Sequence, residues 1–554
     1  MIKRHLEEKR LLIFASIFSL IYSIIFVVGR QIYLYHDFSR LVASTSAVVS
    51  TLASIILFAC ILTILLYCFF VWYTKISSQA STFYIRTYNE KILSSPAKLW
   101  LINWAILFVC WLPCYLAYFP GTLSYDAPEQ ICIALGALPA TTHQPPIHTM
   151  LLGACLDLGN IFGIEPVIIY TIIQMLIMAA VFAYYILFIL KHLARKKWEF
   201  VLIYFFLAVN PIIPLMAIQT TKDVGFTCFF ILCTLFIYEL MTTPEQLKAY
   251  RYLLFVISFV LASLFRNNAL YVLVVVGVVI IFVLKANKRV KAMMAASVVI
   301  AVVVVKIITG PVYSNLGYAK SDDKVEMSAV PMQQLGLAII ENAPDFTDDD
   351  WEKITYYMSD LQVTFERYNP RFYDPLKDAI YKTHLQEEYG GFLKLWTTML
   401  KRYPVEYIRA FLDLNIPYWY PLADTIDPYA DRVYIETDIG PSPYQFERES
   451  KIPWLLDIYE NIANYSLIDK LIIRIPFAIN TPIWLMLAGI LLIIVKKEYN
   501  KIMVFMPSLL LWATYLLGPV SNFRYIFPIF ALYPLFIGIV LHGDSTFEEP
   551  DKNE

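Results

Sequence analysis

The residues best suited to chemistry in this sequence lie in a polar loop after the third apolar run. The loop reads YFPGTLSYDAPEQICIALGALPATTHQPPIHTMLLG and gathers Tyr125, Asp126, Glu129, His143 and His148. Asp126 and Glu129 are three residues apart, so a helix puts both carboxylates on one face. There one can raise the pKa of the other, or both can hold a divalent cation such as magnesium or manganese. The same residues equally make a helix start, with Asp126 as cap, Pro128 in the first turn and Glu129 completing a capping-box-like pair. His143 and His148 bracket Gln144-Pro145-Pro146, whose prolines stiffen the approach to the next helix. Their spacing is not that of HExxH and no Cys accompanies them, so two interfacial histidines are expected rather than a zinc site. His143 can still donate a hydrogen bond to a phosphate oxygen.

Three cations stand at the ends of later apolar runs: Lys222, beside Asp223 in the turn after Asn210-Pro211; Arg266, before Asn267 and Asn268; and Arg524, in SNFRYIFP. Each taken alone reads as an anchoring or snorkelling residue, and Asp223 is favourable at a helix N-terminus. Gathered on the side that carries Asp126, they would offer an anionic headgroup several donors, with the arginines able to bind phosphate in bidentate fashion.

The elements that must position these groups are membrane helices. Of the 554 residues 59% are hydrophobic, and the 44 Lys and Arg nearly balance the 45 Asp and Glu, which favours neither nucleic acid nor an acidic polymer as partner. A bilayer crossing needs roughly 20 apolar residues with every backbone polar group bonded internally, so the long apolar runs read as helices. They fall near 11–29, 44–72, 98–118, 166–190, 200–218, 224–241, 252–266, 269–285, 292–310, 476–495, 501–518 and 524–542. The expectation is an all-α polytopic membrane protein with about twelve transmembrane helices. The apolar run after MIKRHLEEKR has no small-residue cleavage site and reads as a retained anchor. Seven of the eight Cys lie in apolar runs, so no disulfide framework is expected.

Basic residues gather in the N-terminal tail (Lys3, Arg4, Lys9, Arg10) and in connections holding Arg86 and Lys91, Lys191 with Arg195–Lys197, Lys248 and Arg251, Lys285–Lys291, and Lys496–Lys501. The positive-inside rule places these, and both termini, in the cytoplasm. Parity then requires that 146–163, with Asp157, Asn160 and its glycines, lie on the outer interface as a short amphipathic helix. The run 252–285 folds at Arg266, Asn267 and Asn268 into a tight outer hairpin. Facing outward are the loop 119–165, the turn 219–223 and the segment 311–475, which is long enough to bury its own core as an inserted, mainly helical extracytoplasmic domain. The chain thus divides into a two-span region (1–97), a core (98–310), the inserted domain (311–475) and a three-span region with a cytoplasmic tail (476–554).

The acidic stretch Tyr125-Asp126-Ala127-Pro128-Glu129, followed by His143-Gln144-Pro145-Pro146-Ile147-His148, resembles the GT-C superfamily of membrane glycosyltransferases. Asn210-Pro211 followed by Thr221-Lys222-Asp223, and Arg524-Tyr525 with Pro528, look similar to bacterial members. The resemblance covers roughly 98–310 and 476–542. It departs where the family's acidic pair is adjacent or one residue apart, so the second carboxylate is Glu129 or Asp223. Two additional spans precede the region that matches.

The resemblance implies transfer of a sugar from a polyprenyl-phosphate-linked donor to an extracytoplasmic acceptor, an envelope glycan, polymer or lipid, at a bacterial plasma membrane. Asp126 would be the base, with Glu129 or Asp223 orienting it or helping to hold a divalent ion. Lys222, Arg266, Arg524 and His143 would bind the donor phosphate, and Tyr125, His148, Asn267 and Tyr525 would contact substrate. A single displacement predicts inversion at the anomeric carbon. Two other readings stand beside it: a transporter or lipid-linked-sugar flippase, which should carry ionisable groups near mid-membrane, and a non-catalytic envelope assembly or binding protein.

Overall fold

The computed structural model describes residues 2–78, 95–193, 197–358, 361–423, 444–463 and 478–542. Arg86, Lys91, Arg195 and Lys196, used above to orient the chain, lie outside the described residues. No strand occurs among the described residues, only isolated bridges such as Phe372 with Val520.

The N-terminal half is a run of helices: α1 (Ile2–Tyr35), α2 (Thr45–Ser78), α3 (Pro96–Ala117), the short α4 (Ala127–Ala134), α5 (Pro146–Phe162), α6 (Pro166–His192), α7 (Lys197–Tyr204), α8 (Ile212–Ile218), α9 (Lys222–Thr242), α10 (Ala249–Phe265), α11 (Asn267–Val283) and α12 (Lys288–Ile307). Among the described residues seven stretches are long and apolar enough to cross a membrane: Glu8–Tyr35, Thr45–Tyr73, Pro96–Ala117, Pro166–His192, Trp198–Ile218, Lys222–Thr242 and Lys288–Asn315. The protein is therefore an all-α membrane protein. α10 and α11 are apolar but have 17 residues each, about 25 Å of helix. α5 is not one of the long apolar stretches.

The bundle is ordered by burial. α9 is the most enclosed of the seven stretches, while α2 turns Leu52, Ile56, Leu57 and Ile64 outward and is the most exposed. Indole N–H groups need partners when buried. On α3, Trp100 donates to Ala180 O (3.0 Å), Trp104 to Leu176 O (3.0 Å) and Trp111 to Leu207 O (3.1 Å), which fixes α3 against α6 and the turn after α7. Asn210-Pro211 interrupts the helix there, and the Asn210 side chain accepts from Ile212 N at 3.0 Å to start α8.

The inserted domain has its own core, from Val325 to Tyr407. It is formed by α13 (Ala329–Asn342), α14 (Asp348–Tyr357), α15 (Lys382–Glu387), α16 (Tyr389–Arg402) and α17 (Pro404–Leu414). α15 and α16 are separate helices, broken at Glu388. The chain then returns to the bundle: α18 (Ile416–Trp419) and Tyr420 pack on α1, and α19 (Pro453–Ala463) packs on α3. α20 (Thr481–Lys496), α21 (Ile502–Tyr515) and the bent pair α22 (Phe523–Ala531) and α23 (Tyr533–His542) complete the bundle.

Candidate functional site

At the end of the bundle that carries the inserted domain, five charged side chains from four separate segments meet. Asp126 lies at the head of α4, Lys222 and Asp223 open α9, Arg266 stands at the break between α10 and α11, and Arg524 is the second residue of α22. Lys222 Nζ and Arg524 Nη1 each approach the same Asp126 oxygen at 2.9 Å. Arg266 Nε pairs with Asp223, and Arg524 Nε lies 3.7 Å from the other Asp223 oxygen. Arg524 thus spans both carboxylates. Its guanidinium covers the Tyr125 ring (4.2 Å), and that of Arg266 covers the Tyr525 ring (4.4 Å).

Local structure explains the convergence. Thr122 Oγ1 donates to Ile218 O (3.2 Å) and Thr220 Oγ1 donates to Thr122 O, so the loop ahead of Asp126 is tied to the connection ahead of Lys222. Gly121 has φ +149°, and a Cβ there would lie 2.8 Å from Val167 and Thr171 side-chain atoms, so only glycine lets the loop lie this close to α6. On α9, Thr221 is the N-cap, accepting from Asp223 N and donating to Asp223 Oδ2 at 3.0 Å. Asn522 caps α22 by accepting from Arg524 N at 3.2 Å.

Three cations face two carboxylates here, which leaves one positive charge over. Asp223 is fully buried, Arg524 is 8% exposed, and the Asp126 side chain, at 23%, is the most open of the five. Arg266 Nη2 is buried and has no partner among the described residues, a donor left for something else to satisfy. Burial alone would raise the Asp126 carboxyl, but the Arg524 and Lys222 charges outweigh it and hold it well below the usual carboxylate range.

Several sequence-assigned residues stand elsewhere. α4 buries Ala127 and Ile131, which turns Glu129 to an exposed position on the helix, and Asp126 makes no side-chain cap; the capping-box reading is not what forms. A divalent cation does not fit these residues: the shared Asp126 oxygen is occupied by two cationic groups, and no cluster of three or more His, Cys, Asp or Glu suited to a metal occurs among the described residues. His143 and Asn267 are exposed. His148 is buried behind the cluster, its Nδ1 2.6 Å from Gln130 Oε1 and its Nε2 2.8 Å from Tyr170 OH. The Tyr170 hydroxyl has one proton to share between His148 Nε2 and Gln174 Oε1 (2.8 Å), and Gln174 donates to Ala217 O (2.9 Å) and Gln219 O (2.6 Å). Burial and the Lys222 charge push His148 down to about 3, so it is neutral.

Sequence reasoning gave no role to Gln144, yet its Oε1 accepts from Lys222 Nζ at 2.5 Å. Gln130 and Gln174 were likewise passed over. The available signal was neutral amides inside otherwise apolar or Pro-rich stretches, which must find partners when buried.

Beside the cluster an apolar groove of about 370 Å³ runs between α5, α6, α9 and α10, lined by Ile147, Ile173, Phe229 and Phe265 among others. Val224 and Gly225 of its wall directly follow Asp223, and Phe265 directly precedes Arg266. Its rim residues Met150 and Ile177 are 42% and 45% exposed, so it opens sideways. A larger apolar hollow of about 590 Å³, lined by Phe70, Trp198 and Leu492 among others, contains none of the candidate residues.

Fold and site together define an all-α membrane protein with a buried, net-cationic cluster at the head of a lateral apolar groove. The chain belongs to the family of unknown function DUF6020, which matches residues 137–548. Lys222, Asp223, Arg266 and Arg524 lie within the match, and Asp126 and Glu129 precede it. No curated protein and no solved structure matches the chain.

Proposed function

We propose that this protein is a GT-C-type glycosyltransferase that moves a sugar from a polyprenyl-phosphate donor to an extracytoplasmic acceptor, an envelope glycan, polymer or lipid. It crosses a bacterial plasma membrane about twelve times, with both termini cytoplasmic and the cluster facing outward. α10, α11, α20, α21 and the bent pair α22–α23 supply the crossings beyond the seven long ones. The observation that carries the reading is the surplus positive charge of five converged groups at the head of an apolar groove: a phosphate fits the charge, and its prenyl chain fits the groove.

In this mechanism an acceptor hydroxyl attacks the anomeric carbon while the bond from that carbon to the phosphate oxygen breaks. The lipid phosphate departs with the electron pair, the hydroxyl proton passes to Asp126, and configuration inverts. Paired with two cations, Asp126 is a weak base, since a general base works best with a pKa near the operating pH. A donor phosphate that draws Lys222 and Arg524 to itself removes that restraint and gains their stabilisation of the charge it accumulates. Asp223 keeps Arg266 and Arg524 in place.

Transport is the second reading. Against it, the ionised groups gather at bundle ends: the cluster at one, the Arg251–Glu239 pair at the other, with Lys306 exposed in the last turn of α12. The test is release of polyprenyl phosphate from a panel of synthetic polyprenyl-phosphate sugars by purified protein in lipid nanodiscs. Asp126→Asn should reduce turnover by about 10² or more with donor binding kept. Near-normal turnover would remove Asp126 as the base, and no turnover of any donor by the unaltered protein would remove the transferase reading.

A further inference from the structure

The segment 516–522, between α21 and α22, delivers Arg524 to the cluster, yet much of what holds it comes from the inserted domain and the segment that follows. Asn415 Nδ2 donates to Leu516 O at 3.0 Å, Tyr373 N donates to Pro519 O at 3.1 Å, and Phe372 bridges Val520. Ser521 Oγ donates to Leu414 O at 3.2 Å, and Asn522 N donates to the Tyr418 hydroxyl at 3.3 Å. Asn522 is the residue whose side chain caps α22 by accepting from Arg524 N.

The anchoring surface is itself braced. Asp413, one residue before Leu414, is buried and pairs with Arg371 (3.3 Å) and with His36. Arg371 also donates to Tyr33 O at the end of α1 (2.7 Å). The short stretch Asp413–Tyr418 therefore touches the end of the first helix on one side and the approach to Arg524 on the other. Asn415, Tyr418 and Ser521 are all nearly or fully buried, so these bonds are made away from water and are sensitive to geometry.

We infer that the inserted domain and the segment that follows it form a positioning element for Arg524: through the contacts of Asn415, Tyr418 and Ser521 this unit sets where the guanidinium meets Asp126, and its displacement is felt as a change in anion affinity. This rests on the reading of the cluster as a phosphate site. It gives Asn415, Tyr418 and Ser521 the standing of positioning residues and makes domain and cluster two ends of one coupled unit.

The experiment is a double-mutant cycle on binding of farnesyl phosphate to the full chain in lipid nanodiscs, with farnesol as the neutral control. Tyr418→Phe should weaken farnesyl phosphate by about 5-fold or more and leave farnesol unchanged. In an Arg524→Ala background the same substitution should change nothing further. Ser521→Ala serves as a second probe should Tyr418→Phe fold poorly. Unchanged phosphate affinity in Tyr418→Phe and Ser521→Ala overturns the proposal, as does an equal loss with Arg524 already removed. Absence of farnesyl phosphate binding by the unaltered chain would instead defeat the phosphate reading. The positioning claim is then decided by hydrogen exchange in the free protein, where Tyr418→Phe should speed exchange across 523–531, and unchanged protection there overturns it.

Discussion

At the level of single side chains, the behaviour of the cluster follows from one oxygen of Asp126 serving two cations. Such a carboxylate is held charged, and proton transfer to it becomes favourable only when another anion competes for its partners. His148, behind it, has the opposite character: a fully enclosed ring kept neutral, with both nitrogens engaged. Its folded-state pKa, about 3, lies below the usual value near 6.5. The unfolded chain therefore takes up a proton at that ring as pH falls below 6.5 while the folded chain does not. The stability due to neutral His148 is present above that value and declines toward pH 3, by at most about 1.4 kcal/mol per pH unit. The thermal unfolding midpoint of purified protein should fall between pH 7 and 5, and the fall should be smaller in His148→Gln, which cannot titrate. Equal slopes in the two proteins would mean that His148 is not held neutral. The positions of Asp126, Lys222, Asp223, Arg266 and Arg524 were legible because a charge at the end of an apolar run is conspicuous. The displacement of Glu129 was not, because a single turn of α4 is rotated by the burial of Ala127 and Ile131, which spacing alone does not reveal. Gln144 escaped because an uncharged amide gives no electrostatic signal.

Among the helices, α9 and α10 show how a groove and a contact are made by the same residue. Gly225 lets the Phe265 ring lie where a Cβ would be 2.8 Å away, which brings the end of α10 and hence Arg266 against Asp223. The groove opens beyond this contact. Ile177→Trp should fill its mouth and weaken a long-chain polyprenyl phosphate by about 10-fold, since excluding two buried methylenes already costs about 1.6 kcal/mol, while leaving a short-chain isoprenyl phosphate little affected. Equal weakening of both ligands would place the chain elsewhere. The helices were readable from hydropathy because lipid-facing surfaces such as that of α2 leave long apolar runs. The break at Glu388 and the docking of 416–423 and 444–463 on the bundle depend on contacts between segments far apart in sequence, to which periodicity is blind.

For the molecule as a whole, the inserted domain is continuous with the bundle through Asp413, Asn415 and Tyr418, so the segment that delivers Arg524 to the cluster is held from the domain side as well as from the bundle. From its length alone the segment 311–475 is expected to bury a core of its own; the described residues have a separate core from Val325 to Tyr407 and also a clamp onto 516–522 that the sequence did not signal, because its bonds join residues about a hundred positions apart. One dimension of this architecture reaches into the lipid around it. α10 and α11, which meet at Arg266, are about 25 Å long where the hydrocarbon core of a bilayer is about 30 Å thick. In the proposed topology both are crossings too short for the bilayer, and the leaflet beside them would thin toward Arg266, drawing headgroups down to the level of the charged cluster. Turnover of a polyprenyl-phosphate sugar should then be faster in bilayers of short-chain phosphatidylcholine than in long-chain ones, and a rate indifferent to chain length would show that no such local thinning serves the reaction. On the transferase reading the membrane's own thickness is part of the substrate path: two short helices that meet at Arg266 make the dimple through which a lipid phosphate descends to meet its protein partners.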